Sequence, residues 1–140
     1  MRRSFLVLAF AATCFSPLAR SVNDPDERAK VVVQVSEADP ARWNLVLNNV
    51  KNLQDDLGAN NVTIEIVAYG PGIGMLKFDA STNSRVSEAL KNGVTIQACE
   101  NTMRNQKLVR ADMHPGISYV PAGVVAIVRR QQQGWAYLRP

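Results

Sequence analysis

Cys99 is the residue in this chain best placed for chemistry. It closes the apolar run Val94-Thr95-Ile96-Gln97-Ala98 and stands directly before Glu100-Asn101-Thr102-Met103-Arg104, a polar stretch that opens a helix. The first amides of a helix lack intrahelical acceptors and carry partial positive charge, so a thiol there is biased toward thiolate and toward nucleophilic sulfur chemistry. Asn101 and Thr102 offer side-chain donors to a sulfur anion and amides for an anion-receiving nest; plain helix capping is the alternative role for the same two residues. Glu100, next to the thiol, opposes thiolate formation with its own charge. Arg104 and Lys107 on the following turns read as a solvated face.

The remaining candidates are weaker. His114 is the single histidine, and a Cys-His dyad would need it to meet Cys99 in space, for which a loop position beside Pro115 gives no support. One or two cysteines, one histidine and scattered carboxylates make no recognisable metal-ligand set, and no cofactor is implied. Gly70-Pro71-Gly72-Ile73-Gly74 follows a strand, but its spacing fits neither phosphate-binding pattern; a tight turn that brings backbone close to a neighbour, and that borders the sulfur site, is the expected role. Asn61-Val62-Thr63 matches a glycosylation sequon but opens a strand expected to be buried.

The elements that must position Cys99 are legible. Met1 to Ser21 has Arg2 and Arg3, an apolar core from Phe5 to Phe15 and small residues before Val22, the pattern of a cleaved export signal, and its core is too short to span a bilayer. Ala11-Ala12-Thr13 before Cys14 does not resemble a lipobox. On this reading the mature protein is periplasmic or secreted, has no stable membrane span and keeps Cys99 as its one cysteine, so no internal disulfide can form. The formal charge of +4 falls to about +1, because Arg2, Arg3 and Arg20 leave and no acid does, which removes the compositional case for nucleic acid binding.

Residues 22–28 form a polar, flexible lead-in, and residues 29–140 a single domain. Lys30 to Ser36 reads as a buried strand; Asp39 and Pro40 start a helix whose apolar face is Trp43, Val46, Leu47, Val50, Leu53 and Leu57, stopped by Gly58. Asn61 to Ala68 is a second strand, Ser84 to Asn92 a helix stopped by Gly93, and Val94 to Ala98 a third strand. A short helix near Thr102 to Lys107 follows, then an irregular stretch with a turn at Pro115-Gly116 and a brief strand at Ile117 to Val120. Pro121 starts a last helix with Val124, Ile127, Val128 and Gln131 on one side, and Trp135 to Leu138 is a final strand. Strands separated by helices point to an α/β domain with a parallel sheet covered on both faces.

Three segments resemble the DsrE/DsrF-like family, specifically its small stand-alone exported members: Gly93-Val94 through Ala98-Cys99-Glu100-Asn101-Thr102-Met103, then Val120-Pro121-Ala122-Gly123-Val124, then Gln133-Gly134-Trp135-Ala136-Tyr137. The similarity runs from about Lys30 to Pro140. It implies a three-layer α/β/α sandwich with a mostly parallel sheet of about five strands, assembly as a homo-oligomer (trimer or hexamer), and a cysteine at the position of Cys99 that carries sulfur as a persulfide. The expected function is thus an exported sulfur carrier or sulfurtransferase-like protein that takes sulfur from a sulfane-sulfur donor and gives it to a thiol acceptor. A non-catalytic oligomeric binding module and a thiol redox sensor are the alternatives.

Overall fold

In the computed structural model, residues 28–140 are described; the expected signal segment 1–21 and all but the last residue of the 22–28 lead-in lie outside the described residues. The domain begins with β1 (Ala29–Val35), whose valine run is buried. Helix α1 (Pro40–Leu57) starts as its sequence dictates: Asp39 is extended and its Oδ1 accepts the Ala41 amide at 2.9 Å, with proline in the first turn. Gly58, at φ 87°, ends it. Trp43, Val46, Leu47 and Val50 are buried. Leu57, expected on the same face, is 40% exposed. Eighteen helical residues run about 27 Å while a seven-residue strand runs about 23 Å, so the last turn overhangs the sheet.

β2 (Val62–Ala68), α2 (Asn83–Lys91) and β3 (Thr95–Cys99) follow, with the glycine-rich connection wound into a 3-10 turn over Gly70–Leu76. α3 (Glu100–Asn105) begins immediately after Cys99, two residues earlier than the predicted Thr102 to Lys107 helix. β4 (Ser118–Val120), α4 (Gly123–Gln132) and β5 (Ala136–Leu138) complete the chain. α4 begins two residues later than predicted, because Pro121 and Ala122 stay in the crossing loop: Ala122 is extended, and the Pro121 carbonyl accepts the Asn101 amide at 3.2 Å.

The five strands are all parallel, in the order β4-β3-β2-β1-β5. With helices on both faces, this is the three-layer α/β/α architecture. The two faces differ in character. Val31, Val33, Val35, Ile64, Ile66, Ala68, Ile96 and Ala98 face α1 and α2 in the main core. The other face holds a small cluster of Val32, Val67 and Ile127, flanked by Tyr69, Val120, Ala126 and Trp135. Of the stripe predicted for α4, only Ile127 is buried; Val124 and Val128 are 55% and 46% exposed. The packed side runs instead through Gly123, Ala126, Ile127 and Arg130, a three-and-four spacing one residue out of step with the predicted one.

Glu65 lies on this second face, 3% exposed in a central strand. Its Oε2 accepts from Arg130 Nε at 2.9 Å and Nη2 at 2.7 Å, and the guanidinium lies 4.5 Å over the Trp135 ring. A buried carboxylate needs such a partner, and the arginine anchors the end of α4 to the sheet in return.

Candidate functional site

In a parallel sheet the strands' carboxyl ends share one edge, and ligand sites form where the loops leaving two adjacent strands diverge to opposite faces. Here that point lies between β3 and β4, since β3 feeds α3 on the α1 and α2 side while β4 feeds α4 on the other. Cys99 is the last residue of β3 and the N-cap of α3, and its register partner on β4 is Val120. The chain leaving β4 turns back over the thiol, and the Gly123 amide donates to Cys99 Sγ at 3.3 Å. A side chain at 123 would stand 2.9 Å from Tyr69 Cβ and 3.3 Å from Cys99 Cβ, so glycine is what lets the start of α4 approach the sulfur.

Burial is the largest influence on the Cys99 thiol and pushes its pKa up; the hydrogen bonds around it more than reverse this and hold it below the ordinary thiol value. The lowering comes first from the Thr102 hydroxyl and then from the amides of Gly123, Thr102 and Asn101, of which Gly123 is in direct hydrogen-bond contact. Cys99 itself is 4% exposed. Thr102 is in turn held by the glycine-rich turn: the Gly70 amide donates to Thr102 Oγ1 at 2.9 Å, which leaves the hydroxyl proton free to point at sulfur. Gln106 Nε2 donates to the Gly70 carbonyl at 3.1 Å, closing the turn onto α3. Gly72 lets that turn lie flat on β1, since a side chain there would stand 2.4 Å from the Val35 carbonyl oxygen.

Of these groups the Gly123 amide makes the geometric hydrogen bond to Sγ, while Thr102, through its hydroxyl and amide, and Asn101, through its amide, act on the thiol from the first turn of α3. The Asn101 amide is shared with the Pro121 carbonyl, and its side chain accepts from Arg104 at the surface. Glu100 turns away from the thiol toward Arg110, with Nη2 3.3 Å from Oε1, and Arg110 also lies 4.4 Å over the Tyr119 ring.

His114 forms no dyad with Cys99. It is buried, its Nδ1 accepts the Gly116 amide at 3.1 Å, and its Nε2 is 2.7 Å from Ser87 Oγ. Ser87 Oγ also donates to the Asn83 carbonyl, and the ring is a fixed brace between α2 and the turn before β4. Among the described residues, no three His, Cys, Asp or Glu side chains converge as a metal site would require.

Tyr69 and Gly123 were not singled out by the sequence reading. Tyr69 follows β2 and packs against Gly123; burial chiefly raises its pKa, with further contributions from Tyr137, Arg139, Glu37 and Cys99, so it stands among these groups. The signal was the register itself: the residue after Ala68 must lie beside the residue after Ala98, its partner.

No family model and no curated protein matches the chain. Solved structures do. MTH1491 from Methanobacterium thermoautotrophicum, a protein of unknown function, is 42% identical with a TM-score of 0.76, over 80% of this chain and 99% of that one. BT1422 from Bacteroides thetaiotaomicron, also of unknown function, is 17% identical with a TM-score of 0.66, over 79% of this chain and 94% of that one. The E. coli YchN protein is 11% identical with a TM-score of 0.65, over 80% of this chain and 99% of that one, and both of these show the fold alone. The fold is therefore DsrE-like, and the chain belongs to the family of MTH1491.

Proposed function

We propose that this protein is an exported sulfur carrier of the DsrE/DsrF-like kind, in which Cys99 accepts sulfane sulfur as a persulfide and passes it to a thiol. The observation that carries this reading is the Gly123 amide donating to Cys99 Sγ at 3.3 Å beside the first turn of α3, where Thr102 and Asn101 help hold the thiol pKa down against burial. The Cys99 thiolate attacks the terminal sulfur of an inorganic polysulfide, the adjacent S–S bond breaks, and the shortened polysulfide leaves with the electron pair. The same amides then face the terminal-sulfur anion.

The test is intact mass of the mature protein before and after polysulfide, beside Cys99→Ser. A reducible gain of about 32 Da on the wild type alone supports sulfur acceptance at this thiol. A gain on Cys99→Ser, or none on either protein, defeats it. The low exposure of Cys99 favours one competing reading, an oligomeric binding module with a packed thiol. Failure of native Cys99 to react with iodoacetamide would select that reading.

Export and assembly belong to the same proposal. Removal of residues 1–21 would deliver the 29–140 domain to the periplasm or medium, as mass spectrometry of the secreted form would register. A homotrimer or hexamer would cover Val124, Val125 and Val128, which α4 leaves 55%, 43% and 46% exposed. Light scattering that returned a monomer at micromolar concentration would refute the assembly.

A further inference from the structure

We propose that the carboxyl-end row on the α4 face, from Cys99 through Tyr69 to Gln34, Tyr137 and Arg139, is a recognition shelf for a small cysteinyl persulfide that carries a free carboxylate. Cys99 takes its outer sulfur and Arg139 holds the carboxylate. The inference rests on the persulfide reading of Cys99 and adds the substrate class.

By register the row is a diagonal band: Cys99 and Tyr69 are level with each other, Arg139 lies two residues back beside Gln34, and Tyr137 lies four residues back beside Val32. Gln34 pairs with Val67, Val32 with Tyr137, and Ala68 with Ala98. Side chains alternate along a strand, so Gln34, Tyr69, Cys99, Tyr137 and, one step further, Arg139 all project on the side of Val32 and Val67. α4 covers the inner end of this row, where Gly123 packs on Tyr69 and Cys99, and then runs down the sheet to Ile127 and Arg130. The outer end stays open. Tyr137 is 42% exposed, and its hydroxyl donates to Gln34 Oε1 at 2.6 Å. Arg139 is half exposed and bound to Glu37, a carboxylate on the loop after β1. Tyr69 stands between the two ends, within electrostatic reach of Cys99, Tyr137, Arg139 and Glu37.

The dimensions select the ligand. Cys99 and Arg139 stand three strand spacings apart and two residues apart along the strands, about 16 Å at the backbone, so a short inorganic polysulfide anion on the thiol leaves the guanidinium unused. An extended chain of two residues spans roughly 7 Å, and the arginine stem supplies much of the remainder. A di- or tripeptide with its persulfide at Cys99 therefore sets its terminal carboxylate at Arg139, where the guanidinium fork suits it. Glu37 occupies that fork in the free protein and competes with the substrate carboxylate. In the transfer, the Cys99 thiolate attacks the outer sulfur of R–S–S–H, and the S–S bond breaks with its electron pair onto the inner sulfur. R–S⁻ leaves, and the proton stays on the sulfur now attached to Cys99, with no external oxidant or reductant.

The experiment compares two donors on the mature protein, glutathione persulfide and inorganic polysulfide, by the rate of sulfur gain on Cys99 in intact mass. Arg139→Gln is expected to raise the half-saturating concentration of glutathione persulfide about tenfold relative to that of polysulfide, the loss of one exposed charge-assisted contact. Glu37→Gln, which frees the guanidinium, moves the same ratio the other way. If Cys99 loads from both donors and neither variant moves their ratio, the shelf is wrong while the persulfide reading stands. If neither donor loads wild-type Cys99, both fail.

Discussion

Replacing Thr102 with valine tests whether hydrogen bonding, rather than position alone, sets the reactivity of Cys99. Valine keeps the shape and removes the hydroxyl. A hydrogen bond to a charged group contributes about 1.5–3 kcal/mol against roughly 1 kcal/mol for a neutral one, so losing the donor disfavours thiolate over thiol by about 1–1.5 kcal/mol. That is a five- to tenfold smaller thiolate population at any pH below the thiol's own pKa, by the rule of about 1.4 kcal/mol per factor of ten. The assay is the rate of iodoacetamide alkylation of the native protein across pH, followed by intact mass. Thr102→Val should shift the whole profile toward alkaline pH and lower the neutral-pH rate five- to tenfold, while Thr102→Ser, which retains the hydroxyl, should restore most of it. The Gly70 amide also loses its acceptor, which costs about 1–3 kcal/mol of stability, so unfolding must be measured beside reactivity. An unchanged pH profile in folded Thr102→Val would refute the account of the site.

Gly123→Ala should slow alkylation and lower stability by about 1–3 kcal/mol, since the new methyl must push against Tyr69 Cβ, 2.9 Å away, and move the amide that touches sulfur; denaturant midpoints and alkylation rates check both. Arg130→Ala should cost about 3 kcal/mol, the lower end for stranding a buried carboxylate, and Glu65→Gln in the same background should recover part of it in chemical denaturation. Cys99 has a folded pKa depressed below its unfolded value, so its contribution to stability is present above the unfolded thiol pKa and is lost as pH falls through the folded one. Wild type minus Cys99→Ser should therefore gain stability from neutral to alkaline pH, and a flat difference across that window would contradict the depressed thiol.

Most of the architecture was legible because its signals are local. Asp39-Pro40 and Gly58 bound α1 where the helix is found, and the β-branched runs of β1 and β2 mark strands buried on both sides. The misplaced elements depend on distant contacts. α3 starts at Glu100 and α4 at Gly123 because the Pro121 carbonyl and the Asn101 amide meet across two loops, which periodicity cannot register. The stripe expected on α4 failed for a related reason. Val124 and Val128 have the right spacing, but the second face of the sheet presents Glu65 and Gln97 among its side chains, and Arg130 outweighs apolarity in orienting the helix. At the site, Cys99 stood out as a thiol between strand and helix, whereas Gly123 and Tyr69 reach it from other strands and needed the register.

The strand order also governs which parts of the chain surround the thiol. β5 pairs with β1 across more than a hundred residues, Val31 with Ala136, and it can join the sheet only after α4 has crossed the second face. Pairings between such distant parts of a chain carry a large loop-closure cost and slow folding. The amide that donates to Cys99 comes from the first residue of that crossing helix, so a sheet of β1 to β4 alone would lack this donor. The surroundings of Cys99 thus come from two separate parts of the chain, Thr102 and Asn101 from the helix next to it in sequence and Gly123 from the helix that carries the chain to the far edge strand.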